Sequence, residues 1–240
     1  MCGIMGYIGD ENATDIIISG LEELEYRGYD SAGLAVCDGK EIKTVKVVGS
    51  PSGLREEADG IKGKIGIGHT RWATHGAPTV VNAHPHTSQS GLFTVVHNGI
   101  IENYAALKNE LIEKGFRFKS DTDTEVIAQM LEYLYNGDLK GTVGAALSRF
   151  KGSYALAIMC RDYPDCIVCA KLSSPLFAGI SSGCVYLASD VSAIATKSDR
   201  IFRVNDGEIG LLKKEGLKVF DLDGCRIRKS EIKLKSAERS

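Results

Sequence analysis

Twenty-seven glycines divide this 240-residue chain into short apolar runs, and that spacing constrains the fold more than any other feature. Most of the runs have the length and the β-branched or aromatic content of strands. They predict strands at 4–8, 32–37, 43–48, 65–69, 92–97, 154–159, 166–170, 185–188 and 208–212. Three helices are expected among them. Asn12, with Asp15 three residues later, opens the first; Ile17, Leu21 and Leu24 line one face and Gly28 stops it. Asn103 opens the second, with Tyr104, Leu107 and Leu111 inward and Gly115 at its end. Thr122 followed by Glu125 is a capping-box pattern that opens a third, with Val126, Met130 and Leu134 on one face. Strands, helices in mid-chain and strands again describe an α+β fold with largely antiparallel sheet. No Pro/Ser-rich linker, repeat or low-complexity stretch interrupts the pattern, so residues 1–240 read as one domain.

Composition removes several classes of function. Lys and Arg total 29 against 31 Asp and Glu, a net charge of −2, which argues against a nucleic-acid or anionic-membrane partner held by bulk electrostatics. No apolar run approaches the roughly 20 residues of a membrane-spanning helix. The start, MCGIMGYIG, lacks the basic segment and long apolar core of a secretory signal. Seven scattered cysteines are not a disulfide framework, so a reducing, cytoplasmic location is expected. The remaining strands offer no second cluster of basic residues and no Gly-rich phosphate-cradling loop at a helix start. No sugar-phosphate site is therefore expected.

Cys2 is the first residue with chemical content. Loss of Met1 would leave a chain whose first residue carries both a thiol and a free α-amine. The amine, with a pKa of about 7.7–8.0, is well placed to serve the thiol as general base in acyl transfer. A small buried residue opening the first strand is the competing reading.

All five histidines and the only tryptophan fall within residues 69–97, so a site is expected there. His84-Pro85-His86 could present two imidazoles to a metal. No carboxylate lies nearby in sequence to complete a common ligand set. Cys166 and Cys169 sit in an apolar strand pattern and read as core thiols, because residues three apart on a strand face opposite ways. The alternative is a polar pocket for a small zwitterion. Arg71 follows a strand, where its guanidinium can grip a carboxylate with two parallel hydrogen bonds. Asn98-Gly99 is a hairpin-turn signal, and equally an amide and a backbone N–H able to serve a developing oxyanion. Asp123 suits the start of a helix by the dipole, and suits an ammonium group as counter-ion.

Taken together, the segments MCGIMG (1–6), LEYRGYDSAG (24–33), HTRWATHG (69–76), NAHPH (82–86), HNGIIEN (97–103) and SDTDTEV (120–126) resemble the glutaminase domain of class II glutamine amidotransferases. Within that group they are most similar to the glucosamine-6-phosphate synthase family, which transfers glutamine nitrogen to fructose 6-phosphate. The resemblance covers essentially the whole chain. It implies an N-terminal-nucleophile hydrolase fold, a four-layer αββα sandwich of two mainly antiparallel sheets. It further implies that Cys2 attacks the glutamine amide, that Asn98 and Gly99 form the oxyanion hole, that Arg71 binds the α-carboxylate and that Asp123 binds the α-ammonium. Trp72, Thr74 and His75 would belong to a loop over the pocket. His84, His86 and His97 would then be structural partners around the site; neither metal nor cofactor is called for. The family continues into a sugar-phosphate isomerase domain absent from these 240 residues, and its full-length members are expected to be homodimers. A metallohydrolase using His84 and His86, and a non-catalytic glutamine-sensing module, are the rival readings.

Overall fold

The computed structural model describes residues 2–72 and 76–232, and within them the chain builds two seven-stranded antiparallel sheets. Its strands are β1 (Gly3–Ile8), β2 (Ser31–Cys37), β3 (Ile42–Val48), β4 (Ile65–Arg71), β5 (His86–Thr87), β6 (Phe93–Ile101) and β7 (Gly152–Cys160). They continue with β8 (Ile167–Leu172), β9 (Phe177–Ser181), β10 (Cys184–Ala188), β11 (Arg200–Arg203), β12 (Ile209–Lys213), β13 (Gly216–Phe220) and β14 (Arg226–Ile227). The helices are α1 (Ala13–Glu23), α2 (Leu54–Glu57), α3 (Tyr104–Glu113), α4 (Asp123–Leu134) and α5 (Leu139–Leu147). The first sheet runs β11-β9-β10-β1-β4-β2-β3 and the second β14-β13-β12-β8-β7-β6-β5.

The two-residue period of each strand sorts side chains into three apolar layers. In β1, Met5 and Tyr7 face α1 with Leu34 and Val36, whereas Ile4 and Ile8 face the other sheet. In β7, Leu156 and Ile158 pack under α3, α4 and α5, whereas the smaller Ala155 and Ala157 face the first sheet. Helices thus cover both outer faces and the two sheets meet in the middle, the αββα sandwich expected from the resemblance. The predicted apolar face of α1 is fully buried at Ile17, Leu21 and Leu24. Each such side chain contributes about 1.5–3 kcal/mol by leaving water.

Several local expectations fail for identifiable reasons. Asn98-Gly99 does not turn the chain; it lies inside β6, which runs on to Ile101 because all nine residues pair with β7. Asn12 does not cap α1 with its side chain, which bonds Asp15 and accepts from the Gly63 N–H instead. Asn103 likewise ties to the Arg149 carbonyl and the Lys151 N–H rather than capping α3. Thr122 does cap α4, accepting from the Glu125 N–H at 3.3 Å. Helix α5 goes beyond the three expected helices, since LKGTVGAAL carries two glycines; Asp138 caps it through the Gly141 N–H. Strands β5, β9, β11, β13 and β14 likewise go beyond the expected set.

One close approach fixes the His84–His86 segment against the first sheet. A Cβ at Gly33 would sit 2.1 Å from the His84 carbonyl oxygen and 2.9 Å from that of Val45, both backbone atoms. Gly33→Ala is therefore expected to cost about 3 kcal/mol. At Gly53 a Cβ meets nothing nearer than 3.7 Å, so Gly53→Ala should change little. Urea denaturation of the two variants checks the contrast.

Candidate active site

Antiparallel pairing of β1 with β4 sets Gly3 opposite Thr70, which carries Cys2 to the edge of Arg71 and Trp72. The Trp72 N–H donates to Cys2 Sγ at 3.2 Å, and the thiol lies 3.6 Å from the Trp72 carbonyl oxygen. From the other sheet, Asn98 follows Val96 onto the inter-sheet face of β6. Its Nδ2 donates to the Cys2 carbonyl oxygen at 3.2 Å, and its Oδ1 lies 2.9 Å from His69 Nε2. That network assigns the His69 proton to Nε2. His69 reaches Asn98 because it continues the inter-sheet face of Ile65 and Ile67 along β4. Gly99 has φ +129°, and a Cβ there would stand 2.2 Å from the Ser153 carbonyl oxygen, so only glycine fits beside Asn98.

The charged groups arrive from the end of β4 and a helix start. Arg71, 4% exposed, donates from Nη2 to the Gly76 carbonyl oxygen at 3.0 Å and from Nη1 to that of Ala77 at 3.4 Å. Asp30 Oδ1 stands 4.0 Å from Nη1. Asp123 opens α4, and its Oδ2 accepts from the Ile101 N–H at 2.7 Å. Cys2, Arg71, Trp72, Gly99 and Asp123 border one cleft with His84, His97, Thr122 and Thr124. Six of the eight candidate residues are thereby brought together, Asn98 through its bond to Cys2. Thr74 and His75 lie outside the described residues.

His69, His84, His86 and His97 are neutral packing and hydrogen-bonding groups. His97 Nδ1 meets Thr124 Oγ1 at 3.0 Å and lies 4.0 Å from Asp123, while its Nε2 reaches the Ser153 carbonyl oxygen at 3.4 Å. His86 Nε2 bonds Thr122 Oγ1 at 3.0 Å, and the His84 ring lies 4.1 Å from that of His69, centroid to centroid. Burial drives His69 down to about 3 and holds His84 and His86 well below the ordinary imidazole value. It lowers His97 as well, against the pull of Asp123. Among the described residues, no group of three or more His, Cys, Asp or Glu is arranged to hold a metal ion. Cys166 and Cys169 point into different apolar layers, and burial raises their thiols to about 11 and about 12. Burial also raises the Cys2 thiol, opposed by the Trp72 N–H and the Arg71 charge.

Two motifs separated in sequence meet here. The Asp30 N–H bonds the Arg71 carbonyl oxygen at 2.7 Å, and the Trp72 ring covers Gly28 so closely that a Cβ there would come within 2.6 Å. Asp190 anchors the same segment, accepting from Tyr26 Oη at 2.8 Å and Arg27 Nη1 at 3.1 Å. Sequence reasoning assigned no role to Asp190, Thr124 or His69. For His69 the signal was available in its two-residue spacing from Ile65 and Ile67.

Residues 53–216 match the family model of the glutamine amidotransferase domain. The chain belongs to that family. It is 52% identical over 237 residues to glutamine–fructose-6-phosphate aminotransferase (isomerizing) of Caldanaerobacter subterraneus subsp. tengcongensis, covering 98% of this chain and 39% of that protein. Against an enzyme of the same name from Thermus thermophilus, identity is 46% over 236 residues, with the same coverages. The chain thus spans about two fifths of the length of these curated relatives. The glutamine phosphoribosylpyrophosphate amidotransferase of B. subtilis superposes with a TM-score of 0.81 at 30% identity, over 92% of this chain and 49% of that one. A glutamine aminotransferase class-II domain protein of Silicibacter pomeroyi shares the fold, with a TM-score of 0.63 at 16% identity over 92% and 99%. The sandwich is that of the N-terminal-nucleophile amidotransferases.

The buried imidazoles are expected to make the chain acid-sensitive. Unfolded, each binds a proton below about pH 6.5; folded, His69, His84 and His86 resist protonation to much lower pH. The unfolded state then holds more protons, so stability is full above pH 6.5 and falls as pH drops below it. His69 is expected to cost about 1.4 kcal/mol at pH 5.5, with His84 and His86 acting in the same direction. Denaturant midpoints measured between pH 7.5 and pH 5 check this; a flat profile would contradict neutral burial.

Proposed function

We propose that this amidotransferase domain hydrolyses glutamine to glutamate and ammonia through a γ-glutamyl thioester on Cys2. The reading rests above all on one observation: the Asn98 amide reaches across the sheet boundary to Cys2 at 3.2 Å, in the cleft that Arg71 and Asp123 border. With Met1 removed, the Cys2 α-amine takes the thiol proton as sulfur attacks the side-chain amide carbon. The carbonyl electron pair moves to oxygen, where Asn98 Nδ2 and the Gly99 N–H stabilise it. The protonated amine then passes its proton to the leaving nitrogen, the C–N bond breaks and ammonia departs. Water attacks the thioester by the same relay, releasing glutamate and restoring the thiol. Arg71 grips the α-carboxylate and Asp123 the α-ammonium, and Trp72 borders the pocket.

The names of the relatives extend the proposal. Matching 98% of this chain, they support a role as the ammonia-supplying half of glucosamine 6-phosphate synthesis from fructose 6-phosphate, in partnership with a sugar-phosphate isomerase domain. In the same reading the whole protein is a cytoplasmic homodimer, and residues 1–240 form its glutaminase domain.

Purified protein beginning at Cys2 should release glutamate and ammonia in equal amounts from glutamine, with or without fructose 6-phosphate. Mass spectrometry after treatment with 6-diazo-5-oxo-norleucine should place the label on Cys2. Cys2→Ala should abolish turnover and keep glutamine binding. Full activity with Met1 retained, or in Cys2→Ala, would sink the mechanism.

Asn98→Ala removes a donor aimed at charge present only in the transition state. A loss of about 10²–10³ in kcat with a smaller change in KM is expected. Steady-state kinetics decide, because a steep rise in KM with kcat unchanged would make Asn98 a ground-state binding residue.

A further inference from the structure

Trp72, the only tryptophan of the chain, donates its backbone N–H to the Cys2 sulfur at 3.2 Å, while the residue is 54% exposed. Water on its outer side holds nothing in place, so the surface beneath the ring decides where Trp72 sits. That surface is Gly28, at φ +84°, where a Cβ would come within 2.6 Å of the ring carbons. Gly28 closes a single 3₁₀ turn, Glu25–Arg27, by donating its N–H to the Glu25 carbonyl oxygen at 2.9 Å. So short a turn has little stability of its own, and a tie from elsewhere in the fold must hold it.

Asp190 supplies that tie. Its Oδ2 accepts from Tyr26 Oη at 2.8 Å and from Arg27 Nη1 at 3.1 Å, and its Oδ1 accepts from the Ser192 N–H and Oγ, both at 3.1 Å. Both carboxylate oxygens are thereby committed. The Arg27 side chain is only 7% exposed, so the charge-assisted bond is largely shielded from water. The carboxylate itself starts from a fixed point. Ser189, the residue before it, takes the Ile4 N–H on its Oγ at 2.9 Å and gives its own N–H to the Ile4 carbonyl oxygen at 3.1 Å. Ile4 lies in β1, two residues beyond Cys2. The turn under Trp72 is thus referenced to the strand that follows the nucleophile. We propose that Asp190 is a positioning residue for the thioester chemistry: it holds Gly28 as the seat of Trp72 and so keeps the Trp72 N–H on the Cys2 sulfur. The consequence for turnover rests on the glutaminase reading above; the consequence for the ring does not.

Because Trp72 has no other tryptophan to compete with it, its fluorescence anisotropy reports this ring alone. In Asp190→Ala the anisotropy should fall toward that of the unfolded chain. In the same variant kcat/KM for glutamine should fall by about tenfold, and labelling of Cys2 by 6-diazo-5-oxo-norleucine should slow by the same factor, since both need Trp72 beside the sulfur. Competitive inhibition by glutamate, which meets Arg71 and Asp123 without bonding to the sulfur, should stay within about twofold. Tyr26→Phe/Arg27→Lys, which keeps bulk and charge, should move anisotropy and kcat/KM in the same direction by less, and it carries the test if Asp190→Ala does not fold. Ser192→Ala removes a bond to the same carboxylate on the side away from the turn and should change neither. The proposal is overturned if anisotropy holds in the folded Asp190 and Tyr26/Arg27 variants, if it falls while kcat/KM holds, if glutamate binding is lost in step with turnover, or if Ser192→Ala reproduces Asp190→Ala. Wild-type protein inactive on glutamine would instead overturn the glutaminase reading, and the anisotropy of the variants would still decide whether Asp190 seats the ring.

Discussion

The hydrogen bond between His69 on β4 and Asn98 on β6 joins the two sheets where the site is built. Both residues are buried, at 0% and 7% exposure, so losing either partner would strand a polar group at a cost of about 1–3 kcal/mol. The bond also fixes which way the Asn98 amide points. With Oδ1 committed to His69, Nδ2 is left to face Cys2. A donor aimed in advance costs no reorganisation when charge develops beside it, and the sandwich packing holds that aim. Site and core are therefore one construction: the inter-sheet layer of Ile65, Ile67 and Val96 runs directly into His69 and Asn98.

The second sheet is tied to its helices by a similar placement of partners. Asp123 takes the Ile101 N–H, Thr124 meets His97, and Thr122 meets His86 while capping α4. Three consecutive residues at one helix start thus fix that helix against β6 and the His84–His86 segment. Glu125 completes the junction by accepting the Ser120 N–H at 2.6 Å and the Lys119 N–H at 2.9 Å. The carboxylate of Asp123 is held in place by backbone, not by a mobile side chain.

Much of this was legible in the sequence where local chemistry governs. The strands at 4–8 and 65–69 and the stripe of Ile17, Leu21 and Leu24 follow from burial alone, and the structure keeps them. Asn98-Gly99 misled because a turn signal describes an isolated segment; nine paired residues of β7 override it. The caps at Asn12 and Asn103 misled for a similar reason, since distant partners at Gly63 and Arg149 displace the adjacent N–H groups. Among the candidate site residues, Cys2, Arg71, Asn98, Gly99 and Asp123 could be named because each has a chemistry of its own. Asp190 could not be, since its partners Tyr26 and Arg27 lie far away in the chain and only the fold makes them neighbours.

The charge pattern of the cleft bears on where the thiol proton can go. Burial keeps the Cys2 thiol above its ordinary value, and the nearby imidazoles of His69, His84 and His97 are themselves held neutral by burial. A thiol activated by a charged histidine needs an imidazolium beside it, and none of these three supplies one. Asp30 disfavours the thiolate, while Arg71 favours it and is committed to backbone carbonyl groups at Gly76 and Ala77. The described side chains thus lower the cost of a thiolate only slightly. A base carried on Cys2 itself needs none of them: it sits on the same residue as the sulfur, titrates near neutrality once Met1 is gone, and can accept and return the proton without leaving a buried charge behind.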